Sequence, residues 1–134
     1  MAILVDTNVL SDVLTGDPVW MPWSRSQLEC HRGAGLVINP VIYAELSIPA
    51  HDLAEVDRVV TAFGLDVREI PRAGLFAAGK AFLRYRTGGG TKSSTLPYFF
   101  IGGHAEATGL AILTRDPGRF RTYFPGVPLV SPGG

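Results

Sequence analysis

Three short runs constrain this chain more than any other feature: AILV at 2–5, LVI at 36–38 and AILT at 111–114. Each is long enough for a buried strand and too short for a buried helix. Each is followed at once by polar or turn-forming residues: Asp6, Asn39-Pro40, and Arg115-Asp116-Pro117. Between them lie segments with helical signals. Thr7 to Leu14 reads as a helix ending before Gly16-Asp17-Pro18, and residues 19–32 as a second, with Pro22 near its beginning. Asn39 followed by proline is an N-cap and a first helical position, so a helix runs from Pro40 to about Ile48. Asp52 caps another through Phe63, with Gly64 at its end. Residues 65–70 alternate as a strand.

The second half continues the pattern. Arg72–Arg86 places Leu75, Ala78, Gly79, Phe82 and Leu83 on one helical face, with Lys80 and Arg84 on another. The segment 87–95 (TGGGTKSST) reads as a flexible loop. A helix is predicted from Pro97 to about Thr108, a short one from Pro117 to Phe124, and a last short strand at Pro128–Val130. Strands alternating with helices define an α/β chain: a three-layer α/β/α sandwich around a central parallel sheet, with right-handed crossovers. At 134 residues the chain is read as one domain, 1–134. No apolar run approaches the roughly 20 residues a membrane span needs. A lone cysteine, Cys30, excludes an internal disulfide and makes a cytoplasmic setting the expectation.

Net charge is zero, yet it is unevenly placed. Residues 1–71 hold ten acids against four Lys/Arg; residues 72–121 hold eight Lys/Arg against two acids. An acidic centre beside a basic surface accounts for that split, as does chance with a solvated helix face.

In open parallel sheets, ligands bind beyond the carboxyl ends of the strands. Asp6 follows the first strand and Asp116 lies two residues past AILT, so both carboxylates belong on that edge. Glu45 sits among Val41, Ile42, Ala44 and Leu46 in the helix after the second strand. Alone it is readable as a solvent-facing residue; with the two aspartates it completes a set of hard oxygen ligands of the kind that Mg²⁺ and Mn²⁺ prefer. Converging carboxylates repel unless a cation compensates them.

Four blocks, VDTNVL (5–10), NPVIYAEL (39–46), LPYFFIGGHA (96–105) and LTRDPGRF (113–120), together resemble the signature blocks of PIN-domain ribonucleases of the VapC toxin type. They occur in order and span nearly the whole chain. The resemblance implies a PIN-like fold, Mg²⁺- or Mn²⁺-dependent endoribonuclease activity, homodimers, and a VapB-type antitoxin partner. It implies Asp6, Glu45 and Asp116 as metal-site acids, with Asn8 and Thr114 as supporting polar residues. It also implies an RNA substrate of the transfer or ribosomal kind.

The chain departs from the family at one position. The third block usually reads L-P-D, the aspartate being a metal-site acid; here it reads Leu96-Pro97-Tyr98. No acid lies between Tyr98 and Gly103, and Glu106 is about two helical turns further on. A phenol is neutral near pH 7 and a far weaker ligand than carboxylate. Tyr98 is either an ordinary aromatic at a helix start or the residue that disables the site.

Lys80, Arg84, Arg86, Lys92 and Arg115 are the candidate RNA contacts, with Arg119 and Arg121 flanking Asp116; phosphate neutralisation by such residues dominates nucleic-acid affinity. His104 falls in a family block, but a structural role is favoured over a catalytic one. Trp20, Met21 and Trp23 read as core or as the lining of an antitoxin groove. Two other functions stay open: a non-catalytic module binding an antitoxin or RNA, and an aspartyl-phosphate phosphatase. The D-x-D pairing of the latter is absent, since Asn8 holds its second position.

Overall fold

The computed structural model describes residues 1–92 and 95–133. In chain order the described elements are β1 (Ile3–Val5), α1 (Thr7–Thr15), α2 (Met21–His31), β2 (Leu36–Ile38), α3 (Pro40–Ser47), α4 (Leu53–Phe63), β3 (Leu65–Val67), α5 (Arg72–Thr87), α6 (Leu96–Thr108), β4 (Ala111–Leu113), α7 (Gly118–Tyr123) and β5 (Leu129–Val130). The strands form one parallel sheet in the order β3-β2-β1-β4-β5. Strands β1, β2 and β4 carry the core: Leu4, Val5, Val37, Ile38, Ile112 and Leu113 are fully enclosed. Sheets buried on both faces need such continuous apolar runs.

The order also locates the site. From β1 the chain winds outward through β2 to β3, then returns across the sheet to β4 and β5. Right-handed crossovers in opposite directions place the connecting helices on opposite faces. The reversal falls between β1 and β4, and the crevice beyond their carboxyl ends is the topological switch point.

The helix boundaries follow the caps. Gly16 closes α1 and Gly64 closes α4, both left-handed at φ near +66°, a conformation that costs glycine little. Asn39 caps α3 by accepting from the Ile42 amide, and Asp52 caps α4 by accepting from that of Glu55.

Two expectations are corrected. The strand read over 65–70 stops at Val67, because its partner β2 ends where Asn39 turns into α3; a single further bond, Arg68 N–H to the Ile38 carbonyl, extends the ladder. The buried face of α5 is also not the one predicted. Gly74, Ala78, Ala81 and Tyr85 are buried, whereas Leu75, Gly79 and Leu83 are exposed and Phe82 is half-buried. Close approach to α6 decides this: a β-carbon on Gly103 would overlap the Gly74 carbonyl. Small residues therefore displace large ones from the contact. Of the loop expected over 87–95, residue 87 still belongs to α5, Gly90 packs on the Tyr85 ring, and positions 93 and 94 lie outside the described residues.

Candidate active site

Asp6 is the first residue past β1 and the N-cap of α1, yet its side chain caps nothing. It is buried, and its Oδ2 accepts from Thr114 Oγ1 at 2.8 Å and from Asn8 Nδ2 at 3.2 Å. Thr114 follows β4, the strand paired with β1, so the sheet brings residues 108 apart in sequence into contact. The Thr114 hydroxyl oxygen also accepts from the Asp116 amide at 3.0 Å, and Asn8 Oδ1 from the Arg115 amide at 3.3 Å. Asn8 and Thr114 thus tie the turn after β4 to the start of α1.

Glu45 reaches the same place from α3. Its Oε1 accepts from Thr7 Oγ1 at 2.7 Å, and it lines, with Asp6, Thr7, Asn8, Ser11, Pro97, Tyr98 and Arg115, a cavity of about 270 Å³. The Asp6 carboxyl is raised to about 6: burial pushes it up most, the Thr114 hydrogen bond pulls it back, and the Glu45 and Asp116 charges add to the rise.

Asp116 is exposed and opens into a neighbouring hollow of about 490 Å³, lined by Tyr98, Gly118, Arg119, Thr122 and Tyr123. Tyr98 lines both spaces and stands between them. Its hydroxyl donates to Asp116 Oδ2 at 3.1 Å, and its ring packs on Phe120. Burial and then the charges of Asp116 and Asp6 raise the phenol to about 12, so it stays protonated and serves as a donor to the carboxylate. The three acids are consequently not gathered at one point: among the described residues no three His, Cys, Asp or Glu side chains form a ready cage. Asp6 and Glu45 share one cavity, and Asp116 is engaged by Tyr98.

The donor chemistry nevertheless suits a hard divalent cation. Every candidate ligand is a carboxylate oxygen, none of the three acids has a salt-bridge partner among the described residues, and their mutual repulsion is what a cation would relieve.

The basic residues divide. Arg115 lines the Asp6 cavity, but its Nε is held by both carboxylate oxygens of Asp12, at 2.8 and 3.1 Å, and its guanidinium lies over Trp20. Asp12 is buried and also accepts from Ser24 Oγ at 2.7 Å. Sequence reasoning missed this network. Its signal was an aspartate three residues past Val9, on the buried side of α1. On α5, Lys80 lies over Phe76 and Arg86 over Phe82. Arg84 donates to the Tyr123 carbonyl at 3.2 Å, which links α5 to the hollow at Asp116. Lys92 contributes its amide to the Tyr85 hydroxyl.

His104 is enclosed behind the site, where its Nδ1 meets Asn39 Nδ2 at 3.1 Å. Asn39 Oδ1 is already occupied by the α3 cap, so the amide nitrogen donates and Nδ1 accepts. Burial, and then Arg68, lower its pKa, which keeps the ring neutral. Trp20, Met21 and Trp23 are half-buried, and none of them lines the apolar groove of about 260 Å³ that Leu14, Leu46, Pro49, Ala50, Val56 and Val59 form. The reason is packing: Trp23 lies against the core and Trp20 beneath Arg115.

A parallel sheet ordered 3-2-1-4-5 and covered by helices is an α/β/α sandwich, with two of the acids in the crevice at its switch point. Solved structures carry the same fold. The chain is similar to VapBC2 from Rickettsia felis bound to a promoter DNA fragment (16% identity, TM-score 0.73, 98% of each chain covered). It is similar to a toxin-antitoxin complex from Klebsiella pneumoniae (22%, 0.69, 97% of each). It is also similar to VapBC-1 from nontypeable Haemophilus influenzae (15%, 0.72, 98% of each). No protein-family model and no curated relative matches the chain. Among the described residues no helix is long and apolar enough to cross a membrane.

Proposed function

We propose that this chain is a metal-dependent endoribonuclease toxin of a toxin–antitoxin pair, with its activity restrained by Tyr98. The observation that carries the reading is Asp6, a buried carboxylate fixed by Thr114 and Asn8 at the switch point, with Glu45 facing the same cavity. Such a charge, raised towards neutrality by burial and acidic neighbours, has the character of a functional group.

Asp6, Glu45 and Asp116 would hold Mg²⁺ or Mn²⁺, which when bound activates water and steadies charge on a phosphate. The chain's own residues do the rest. Thr114 and Asn8 fix the Asp6 carboxylate, Thr7 fixes Glu45, and Pro97 and Ile101 supply an apolar wall beside the two acids. Tyr98 occupies Asp116 and separates it from the other two acids. The substrate class is RNA, of the transfer or ribosomal kind. The partners are a VapB-type antitoxin, in keeping with fold neighbours that are VapBC and toxin-antitoxin complexes, and a second copy of the chain.

A second reading is a non-catalytic PIN-fold module that binds an antitoxin or RNA. The Tyr98–Asp116 hydrogen bond favours it. Calorimetric titration of Mn²⁺ separates the two. Tyr98→Asp is expected to bind Mn²⁺ at least tenfold more tightly than the parent chain, and Asp6→Asn in that background to abolish the gain. Equal, negligible heat from all three proteins would leave the binding module as the function.

A further inference from the structure

The arginines around the Asp116 hollow are spent differently. Arg84 donates to the Tyr123 carbonyl, Arg115 to Asp12, and Arg121 reaches the Ser131 hydroxyl. Arg119 makes no hydrogen bond or salt bridge with any described residue. Its guanidinium lies over two rings, 5.4 Å from the centre of Tyr85 and 5.9 Å from that of Tyr98. It lines the hollow that Tyr98, Asp116, Thr122 and Tyr123 complete.

Ring contact has two consequences. It immobilises a side chain that would otherwise sample many rotamers, and it draws on the electron-rich ring faces without taking up a hydrogen-bond acceptor. The N–H donors of the edge, arranged as a fork that matches phosphate, remain available. The anchor is itself fixed: Tyr85 is buried in α5, its hydroxyl accepts from the Lys92 amide, and Gly90 packs against its ring. A preset, unpaired cation beside an exposed carboxylate does not bind that carboxylate; it offers a separate anionic subsite one side chain away from the Asp6 cavity.

We infer that Arg119, held by Tyr85 and Tyr98, is the binding residue for a backbone phosphate of single-stranded RNA, adjacent to the phosphate that would face Asp6. The inference rests on the ribonuclease reading for the identity of the polyanion. The strand would cross Tyr98, with one phosphate on each side of the ring. Because Tyr98 supports Arg119 from one side and blocks Asp116 on the other, the chain would keep RNA affinity while its cleavage is restrained.

The test is equilibrium binding, which is independent of turnover. A fluorescently labelled single-stranded RNA of about 12 nucleotides, within the range such grooves accommodate, is titrated by anisotropy across a series of salt concentrations. Arg119→Gln is expected to weaken binding about tenfold and to reduce the slope of log K against log salt by about 0.7, the value for one lost phosphate contact on a single strand. Arg119→Lys is expected to recover the slope. Arg58→Gln, on α4 and away from the hollow, is expected to stay within twofold of the parent. The proposal is overturned by an unchanged slope in Arg119→Gln, by an equal loss in Arg58→Gln, by a lysine variant as weak as the glutamine one, or by no RNA binding in the parent chain. If the Arg119 results hold while Tyr98→Asp binds no Mn²⁺, the nuclease reading fails and the phosphate contact stands.

Discussion

The two sides of the crevice are built by different means. Asp6 is held by the sheet: it follows β1, its partner Thr114 follows β4, and register brings Val5 opposite Leu113. It is buried, and its Oδ2 is held by both Thr114 and Asn8. Asp116 lies on a turn in the open, and its contact comes from the first turn of α6 through a single side chain, Tyr98. A site member placed by strand register can be altered only with the fold, whereas one placed by a single side chain at a half-buried helix start can be exchanged residue for residue. On that difference, a substitution at Tyr98 is expected to leave β1, β4 and Asp6 in their arrangement.

The largest expected effect tests the rigid side. Arg115→Ala leaves Asp12 buried with Ser24 as its only partner, and removing one member of such a pair costs about 3–5 kcal/mol. Urea denaturation should show a fall of that order; a loss under 1 kcal/mol would mean that the turn after β4 is not braced by Asp12. The next effect has the opposite sign. Asp6 has a folded-state pKa raised from 3.8 to about 6, so its ionisation opposes folding. Its stabilising contribution is complete below pH 3.8 and is lost as pH rises through about 6. At about 1.36 kcal/mol per pKa unit, Asp6→Asn should stabilise the chain by about 2–3 kcal/mol at pH 7 and flatten that part of the stability–pH curve. A neutral or destabilised variant would show that Thr114 and Asn8 satisfy the charge fully. The smallest effect belongs to the open side. Tyr98→Phe removes one partly exposed hydrogen bond and should change stability by less than about 1 kcal/mol.

Much of this was legible in the residues. Apolar runs closed by polar residues located β1, β2 and β4, and caps at Asn39, Asp52 and Gly64 located the helix ends. Strand-end logic placed Asp6 and Asp116 on one edge. What periodicity could not convey was packing distance. The α5–α6 contact is set by Gly74 and Gly103, so the apolar stripe through Leu75 and Leu83 faces out despite its hydrophobicity. Nor could it convey pairing: the Asp12–Arg115 bond spans 103 residues, and basic residues that read alike in sequence are spent on a carboxylate, a carbonyl or a ring. The position of Tyr98 between the acids needed the fold, although its chemistry did not.

The central claim is that Tyr98 alone separates the two sides into a restrained site. It is tested most directly by the rate of RNA cleavage by Tyr98→Asp relative to the parent chain, across a range of Mg²⁺ and Mn²⁺ concentrations. Restoring the carboxylate should raise the rate by at least about two orders of magnitude, equivalent to about 2.7 kcal/mol of barrier, with Asp6→Asn abolishing the gain. Equal rates in parent and variant at every metal concentration would contradict the claim.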